Sequence, residues 1–392
     1  MKIDYIFYRS ALLMILCTLL SYQQVHAQGC VGLRSITTNN SVQGSALLDK
    51  GDLQFGMGYR FFHSYKHFRG TEHEIIREDL GNNVLNEVNA FDLLITYGIN
   101  KQWNITADLP YSFNWRSSLY EHGNYPDNDP DGTDIRRSTN TNGINDVRLT
   151  VNRWLFDTYR EDAKGNMNIG FGIKAPTGDY AAMDTFYYKG SDGQNVYREV
   201  DQSIQLGDGG WGFSLEAQGF TAFSDALFGY FNVFYMFSPM DTNDAATYRS
   251  NPYEAFQSIP DQFLVRFGLT YVSPDLPGFA FNTGLRFEGI PVEDAIGESN
   301  GFRRPGKTVS VEPGVSYERN NHIFSLNVPI ALYRNRPMSV ADQQYNIEFA
   351  PEEPRHGDAA FADYLISFVY SYRLFNKKNH GMMEESLEDI LN

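Results

Sequence analysis

The sequence predicts an all-β fold: a transmembrane, antiparallel, up-and-down β-barrel of about twelve strands, with long extracellular loops and short periplasmic turns. Three observations carry this expectation. Aromatic residues make up 15% of the 392 residues, with 25 Tyr, 29 Phe and 34 Gly alongside, yet mean hydropathy is −0.41. That balance is too polar for a bundle of membrane helices and too apolar for disorder. Apolar and polar residues alternate over stretches of about ten, the length of a tilted strand crossing a bilayer. The connections between those stretches alternate long and short.

Residues 1–27 read as a signal peptide. Lys2 and Arg9 precede an apolar run from Ala11 to Leu20, and Val25-His26-Ala27 supplies small residues for cleavage. The run is too short to span a bilayer comfortably as a helix. Cleavage removes Cys17 and leaves Cys30 alone, so no disulfide framework is expected. Residues 28–50, rich in Ser, Thr and Asn, form either a periplasmic leader or a plug.

The barrel is expected over residues 51–375. Its first strand, near 51–62, puts Leu53, Phe55, Met57 and Tyr59 on one face, and the second, near 88–99, does so with Phe91, Leu93, Ile95 and Tyr97. The third, near 102–116, is the clearest. Trp103, Ile105, Ala107, Leu109, Tyr111, Phe113 and Trp115 interleave with Gln102, Asn104, Thr106, Asp108, Pro110, Ser112 and Asn114. Side chains alternate faces along a strand, so this segment has one greasy face with aromatics at both ends, where interfacial girdles sit. Further strands fall near 145–156, 166–176, 209–223, 227–238, 261–273, 278–290, 307–318, 322–335 and 361–375. Characteristic faces among them are Met167/Ile169/Phe171/Ile173, Phe263/Val265/Phe267/Leu269/Tyr271 and Tyr364/Ile366/Phe368/Tyr370/Tyr372/Leu374.

Long connections lie near 63–87, 117–144, 177–208, 239–260, 291–306 and 336–360, and short ones near 100–101, 157–165, 224–226, 274–277 and 319–321. A soluble β-sandwich has no reason to segregate loop lengths in this way. The pattern predicts the outer membrane of a Gram-negative bacterium, with both termini periplasmic. The closing run Tyr370-Ser371-Tyr372-Arg373-Leu374-Phe375 resembles the terminal aromatic signature of outer-membrane barrels, which implies insertion by the barrel-assembly machinery. Residues 376–392 then form a periplasmic tail.

The opposite parity faces the lumen. It carries Arg60, Arg116, Arg148, Lys174, Arg266, Arg286 and Arg373 against Asp92, Asp108, Asp146, Glu216, Glu288, Glu312 and Asp363. Charges are costly on a lipid face, so their shared inward parity is consistent with the strand assignment. Such balance predicts an ion-paired lumen, either filled or admitting a polar solute, without a ring of one sign selecting one ion charge. Pro110, Pro313 and Pro329 each remove a ladder donor. Pro313 and Pro329 fall almost opposite one another on one hairpin, predicting either a bulge or a lateral opening in the wall.

In the loop 117–144, Asp127, Asp129, Asp131 and Asp134 surround Gly132, resembling the first half of a calcium loop, although Ser138 replaces the glutamate expected to close it. The alternatives are a structural calcium ion or a solvated acidic loop meeting lipopolysaccharide-bridging cations. No other cofactor is expected. His63, His67 and His73, with Glu72 and Glu74, could be drawn as a zinc site, but nothing in the sequence fixes their geometry. None of the Gly-x-Ser-x-Gly, His-Glu-x-x-His or phosphate-loop patterns occurs, so an enzyme is not expected. A formal charge of −16 argues against nucleic acid as a partner.

Gly172-Ile173-Lys174-Ala175-Pro176-Thr177-Gly178-Asp179-Tyr180, followed by Leu206-Gly207-Asp208-Gly209-Gly210-Trp211, resembles the outer-membrane barrel family named for the MetA pathway of phenol degradation. That family is distantly akin to long-chain fatty-acid channels. The resemblance implies uptake of small, often hydrophobic molecules. The expected function is therefore a passive outer-membrane channel or transporter for a small hydrophobic or aromatic molecule, with lateral release as one route. The expected surroundings are outer-membrane lipid and lipopolysaccharide. The alternative is a structural or interaction barrel that presents acidic loops to an extracellular partner or a cation.

Overall fold

The computed structural model describes residues 47–123, 136–156 and 164–376. The expected signal peptide, most of the leader or plug, and the C-terminal tail from residue 377 lie outside them.

Twelve wall strands follow one another around a closed sheet. They are β1 (Leu53–Arg69), β2 (Leu85–Gly98), β3 (Trp103–Ser118), β4 (Arg137–Ile144 continued by Val147–Trp154), β5 (Gly165–Ala175) and β6 (Gly212–Ala222). Then come β7 (Leu227–Phe237), β8 (Gln262–Val272), β9 (Phe279–Ile290), β10 (Gly306–Val311 with Gly314–Arg319), β11 (His322–Asn327 with Ile330–Asn335) and β12 (Ala359–Leu374). Each pairs antiparallel with the next. The circle closes where β12 meets β1, from Leu53↔Leu374 up to Phe68↔Ala359. Closing the circle removes the two terminal edges an open sheet would have, the condition for β-structure to sit in lipid.

The two faces of the wall are inverted relative to a soluble protein. Met57, Phe91, Phe113, Phe171, Leu215 and Phe267 point outward and are exposed, while Gln54, Arg60, Asn104, Ser214, Asn232 and Arg266, on the other parity, are buried inside the barrel. Apolar side chains in that number would be driven from water but cost nothing against acyl chains. No helix among the described residues is long and apolar enough to cross a membrane.

Short turns join strands at one end, the tightest at Asn320-Asn321, where Asn320 takes the left-handed conformation (φ 54°) that such a hairpin requires. Both described chain ends sit at this end. The other end is a cap of long connections. It includes a hairpin of Met183–Phe186 with Val196–Glu199, a second of Thr242–Ala246 with Phe256–Ser258, and a helix Val340–Phe349. That helix is started by a reciprocal cap between Ser339 and Asp342, each side chain accepting the other's backbone N–H at 3.1 Å.

Two boundaries differ from the sequence reading. β1 runs on to Arg69 and β4 begins at Arg137, so the connections around 63–87 and 117–144 are shorter than expected. The reason in β4 is Pro110. Its partner strand bulges at Asn145-Asp146, between Tyr111↔Ile144 and Asp108↔Arg148, and the polar residues Arg137–Ile144 continue the ladder beyond. A proline without a donor faces the bulge, and its carbonyl accepts from Asn145 N at 2.9 Å.

Candidate functional site

The inward charges form separate clusters. In one, Arg148 reaches Glu216 at 3.0 Å and Asp108 at 3.4 Å, while Asp92, 2% exposed, lies in the field of Arg60, Arg148 and Asp108. In a second, Arg286 binds both oxygens of Glu288 at 2.8 Å, and Glu312 takes Arg266 at 2.7 Å and Arg286 at 3.6 Å. Near the short-turn end, Arg373 lies between Gln54 (3.2 Å) and Glu318 (3.8 Å). Desolvated charges persist only when paired, and apart from Arg286 with Glu288, both on β9, these pairings cross-link strands that are neighbours or next-neighbours around the wall. The inner face of the barrel thus carries paired charges of both signs.

Toward the long connections, Lys174 pairs with Asp208 and lies 3.8 Å from Asp146. Asp146 also accepts the amides of Gly178 (3.0 Å) and Asp208 (3.1 Å). This collar holds the chain leaving β5 against the chain returning to β6. Gly178 and Gly207 pass so close that a Cβ on Gly178 would stand 2.5 Å from the Leu206 carbonyl oxygen, and one on Gly207 2.6 Å from that of Gly178. The two glycine-containing segments singled out in the sequence are therefore the two sides of one seam.

Beyond the seam, residues 176–211 fold back into the barrel mouth. Ile204 is fully buried, its carbonyl accepting from Thr141 Oγ1 and from Asn114 Nδ2 (3.3 Å), and Ser203 donates to Asn86 Oδ1 at 3.0 Å. Asp201 fastens this segment. It accepts from both Nη groups of Arg304 (2.8 and 2.7 Å) and faces Arg116 at 3.5 Å, while Arg116 also binds Glu121. Burial alone would raise the Asp201 pKa, but Arg116, Arg304 and Arg249 overcome it and hold the carboxyl well below its ordinary value. The connections lock to one another through Arg303 and Asp294, a fully buried bidentate pair at 2.8 and 2.6 Å, and through Arg355 and Glu254 at 3.0 Å.

The wall is interrupted beside the two prolines. β10 and β11 both break at their level, where Val328 N donates to the Pro313 carbonyl (3.0 Å) and Leu365 N to that of Pro329 (3.0 Å). β11 then pairs with β12 at Ile330↔Tyr364 and at no later residue, although both strands continue. Farther on, the chain just after β1 bonds directly to the chain just after β11, Gly70 and Arg336 exchanging both backbone bonds at 2.7 Å. Between the two closures Arg334 reaches across, donating to the Ala362 carbonyl and, at 2.7 Å, to Asp363, which also binds Lys66 (2.8 Å) and Tyr65 (2.7 Å).

Thirteen of the fourteen inward charges named from the sequence sit in the clusters of the lumen, seam and mouth: Arg60, Asp92, Asp108, Arg116, Asp146, Arg148, Lys174, Glu216, Arg266, Arg286, Glu288, Glu312 and Arg373. Asp363 alone belongs to the wall interruption with Pro313 and Pro329. Their partners Lys66, Glu121, Asp201 and Arg334 were not singled out, and Asp208 was named only as part of its glycine-rich segment. Most lie in connections, and Lys66 and Arg334 lie beyond irregularities of their strands, where alternation no longer assigns a face. Asp127, Asp129, Asp131 and Asp134 fall outside the described residues. The three histidines do not converge on one site. His67 is buried, accepting from Val84 N and bonded to Asp358 at 2.5 Å; His73 pairs with Glu78; His63 packs beside Tyr65. His67 does lie near Glu74 and Asp358, but Glu74 is already held by Arg69 and Arg77.

No protein-family model matches the chain, and no curated protein is significantly similar to it in sequence. Among solved structures it resembles the COG4313 outer membrane channel from Pseudomonas putida F1, with a TM-score of 0.53 and 13% identity over 85% of this chain and 100% of that one. Weaker likenesses include the translocator domain of autotransporter NalP from Neisseria meningitidis (TM-score 0.40, 10% identity, covering 85% and 92%) and the Ralstonia pickettii toluene transporter TbuX (0.39, 13%, covering 88% and 94%). At such identity the likeness establishes the fold alone, which is that of an outer-membrane β-barrel.

Proposed function

We propose that this barrel is an outer-membrane channel that passes a small hydrophobic or aromatic molecule by passive diffusion and releases it sideways between β11 and β12. The carrying observation is the missing ladder beyond Ile330↔Tyr364, where both strands continue side by side. A straight path would take an apolar solute through the ion pairs of the lumen, where it would displace the water and partners those charges need. A side exit delivers it to the acyl chains, its preferred solvent. The glycine seam between Gly178 and Gly207 supports a kinship with the phenol-degradation barrels. The short-turn end, with both described chain ends, would face the periplasm, and the cap would face outward. The chemistry is one of passage, with no turnover of substrate.

The interlocked cap favours a second reading, a barrel that displays ordered loops to a partner. Arg303 and Asp294, wholly buried, are more than a flexible channel mouth requires. Two measurements separate the readings. Cells whose outer membrane carries the barrel are tested for uptake of a radiolabelled aromatic hydrocarbon, and the purified barrel is tested for conductance in a planar bilayer. Uptake with little conductance supports the lateral route. Discrete, weakly selective conductance with no hydrocarbon uptake replaces it with passage of polar solutes through the lumen, and failure of both leaves the display reading.

A further inference from the structure

A cavity of about 340 Å³ lies within the cap, apart from the lumen clusters and the wall interruption. Its floor is buried (Val200, Gln257, Phe302) and its rim is exposed (Lys189, Tyr248, Ser250), so it opens to solvent. The volume is at the lower end for small-molecule sites. In a chain of net charge −16, four cations line it, Lys189, Arg198, Arg249 and Arg355, against three carboxylates, Glu121, Glu199 and Asp201.

Those carboxylates are already engaged. Asp201 serves Arg304 and Arg116, Glu121 serves Arg116, and Glu199 accepts from the Tyr248 hydroxyl. Arg355 is taken by Glu254. Arg198 differs. Its guanidinium carbon lies 4.4 Å from the centre of the Phe186 ring and 4.3 Å from that of Tyr248. Among the described residues it makes no ion pair, and its Nε is buried with no hydrogen-bond partner. Burial accordingly lowers its pKa. Aromatic rings occupy the faces of a guanidinium and leave its edge, with parallel N–H donors, for a planar acceptor. Arg249, stacked at 3.7 Å on Phe302, reaches its nearest carboxylates only at 3.9 and 4.0 Å and adds positive potential.

We infer that this cavity is a binding site for a small organic carboxylate, its carboxyl group on the Arg198 edge and its apolar body against Tyr248 and Phe302. A carboxylate matches the guanidinium fork in plane with two charge-assisted bonds. The aromatic lining favours an apolar body over a bare inorganic anion. The inference stands apart from the transport reading, since the site needs no passage through the barrel.

The test is calorimetric titration of the detergent-purified barrel with benzoate, with benzamide as its neutral isostere, and with inorganic phosphate. Benzoate is expected to bind one per chain, with benzamide and phosphate at least about tenfold weaker, the loss of one charge-assisted contact. Arg198→Gln should weaken benzoate about tenfold or more, and Arg198→Lys, which keeps the charge but not the fork, should weaken it too. Both variants are checked for folding by far-ultraviolet circular dichroism. A second pair of titrations, on Tyr248→Ala, keeps the test independent of any one arginine variant. Equal binding of benzoate and benzamide, binding of phosphate alone, or benzoate affinity unchanged in folded Arg198→Gln would each overturn the inference. Hydrocarbon uptake and conductance, measured in parallel, report on the channel reading separately.

Discussion

The guanidinium of Arg334 on β11 donates from Nε (3.1 Å) and Nη2 (3.0 Å) to the main-chain carbonyl of Ala362 on β12. A side chain here stands in for strand pairing that the backbone does not make. Hydrogen bonds involving a charged group contribute about 1.5–3 kcal/mol. If this clamp restrains a lateral exit, Arg334→Ala should raise hydrocarbon uptake about tenfold or more, without a matching rise in ion conductance. Unchanged uptake would mean that the interruption carries no traffic.

Restoring the ladder donors should act in the opposite sense. Replacing Pro313 and Pro329 with Val returns two N–H groups to the level where β10 and β11 break. Each new bond is worth about 0.5–1.5 kcal/mol. The double variant should therefore unfold at equal or slightly higher denaturant concentration while taking up hydrocarbon more slowly. A variant that is stabilised but transports at the wild-type rate would separate the prolines from function.

The buried pair of Arg303 with Asp294 should hold the cap and leave the wall alone. Asp294→Asn strands a buried guanidinium, at a cost of about 3–5 kcal/mol. Limited proteolysis should then cut within residues 291–305 or 238–261 at enzyme concentrations the wild type resists. The β-sheet signal in circular dichroism should persist, since the twelve-strand ladder does not pass through this pair.

Acid should loosen the cap in two stages. His122 stacks on Phe186 and Tyr187 and accepts the Tyr187 amide at 3.1 Å, and burial lowers its pKa from the ordinary 6.5. The unfolded loop thus binds the proton more readily than the folded one. Its contribution is complete above about pH 6.5 and is lost as pH falls through the lower folded value. Asp201 is depressed from an ordinary 3.8, so its contribution is complete above that pH and is lost only on falling farther. Hydrogen exchange should show the Tyr187 amide opening in mildly acidic buffer while residues 201–204 stay protected. Simultaneous opening of both would contradict this order.

How much of this could be read from the residues depends on whether the backbone was regular. Phe91, Leu93 and Ile95 alternate with Asp92 and Leu94 in a plain strand, so their faces followed from a period of two. The same rule put Arg148 and Glu216 on one side of the wall, and in the structure they touch. It could not reach Lys66 or Arg334, because irregularities in β1 and between β10 and β11 shift the register before those residues. Nor could it pair Arg304 with Asp201, 103 residues earlier, since two connections meet there without sharing any ladder.

The sequence by itself determined the wall: strand number, the lipid-facing parity, the segregation of long from short connections, and the three places where proline denies the ladder a donor. These are local consequences of chain geometry and of side-chain solubility in lipid or water. Only the tertiary structure decided that residues 176–211 turn back into the mouth, that β11 and β12 part beyond Ile330, and that Arg198 faces a cavity with no ion-pair partner among the described residues. Each depends on which distant groups meet, and charge pairing between connections is set by the closed barrel that brings their ends together.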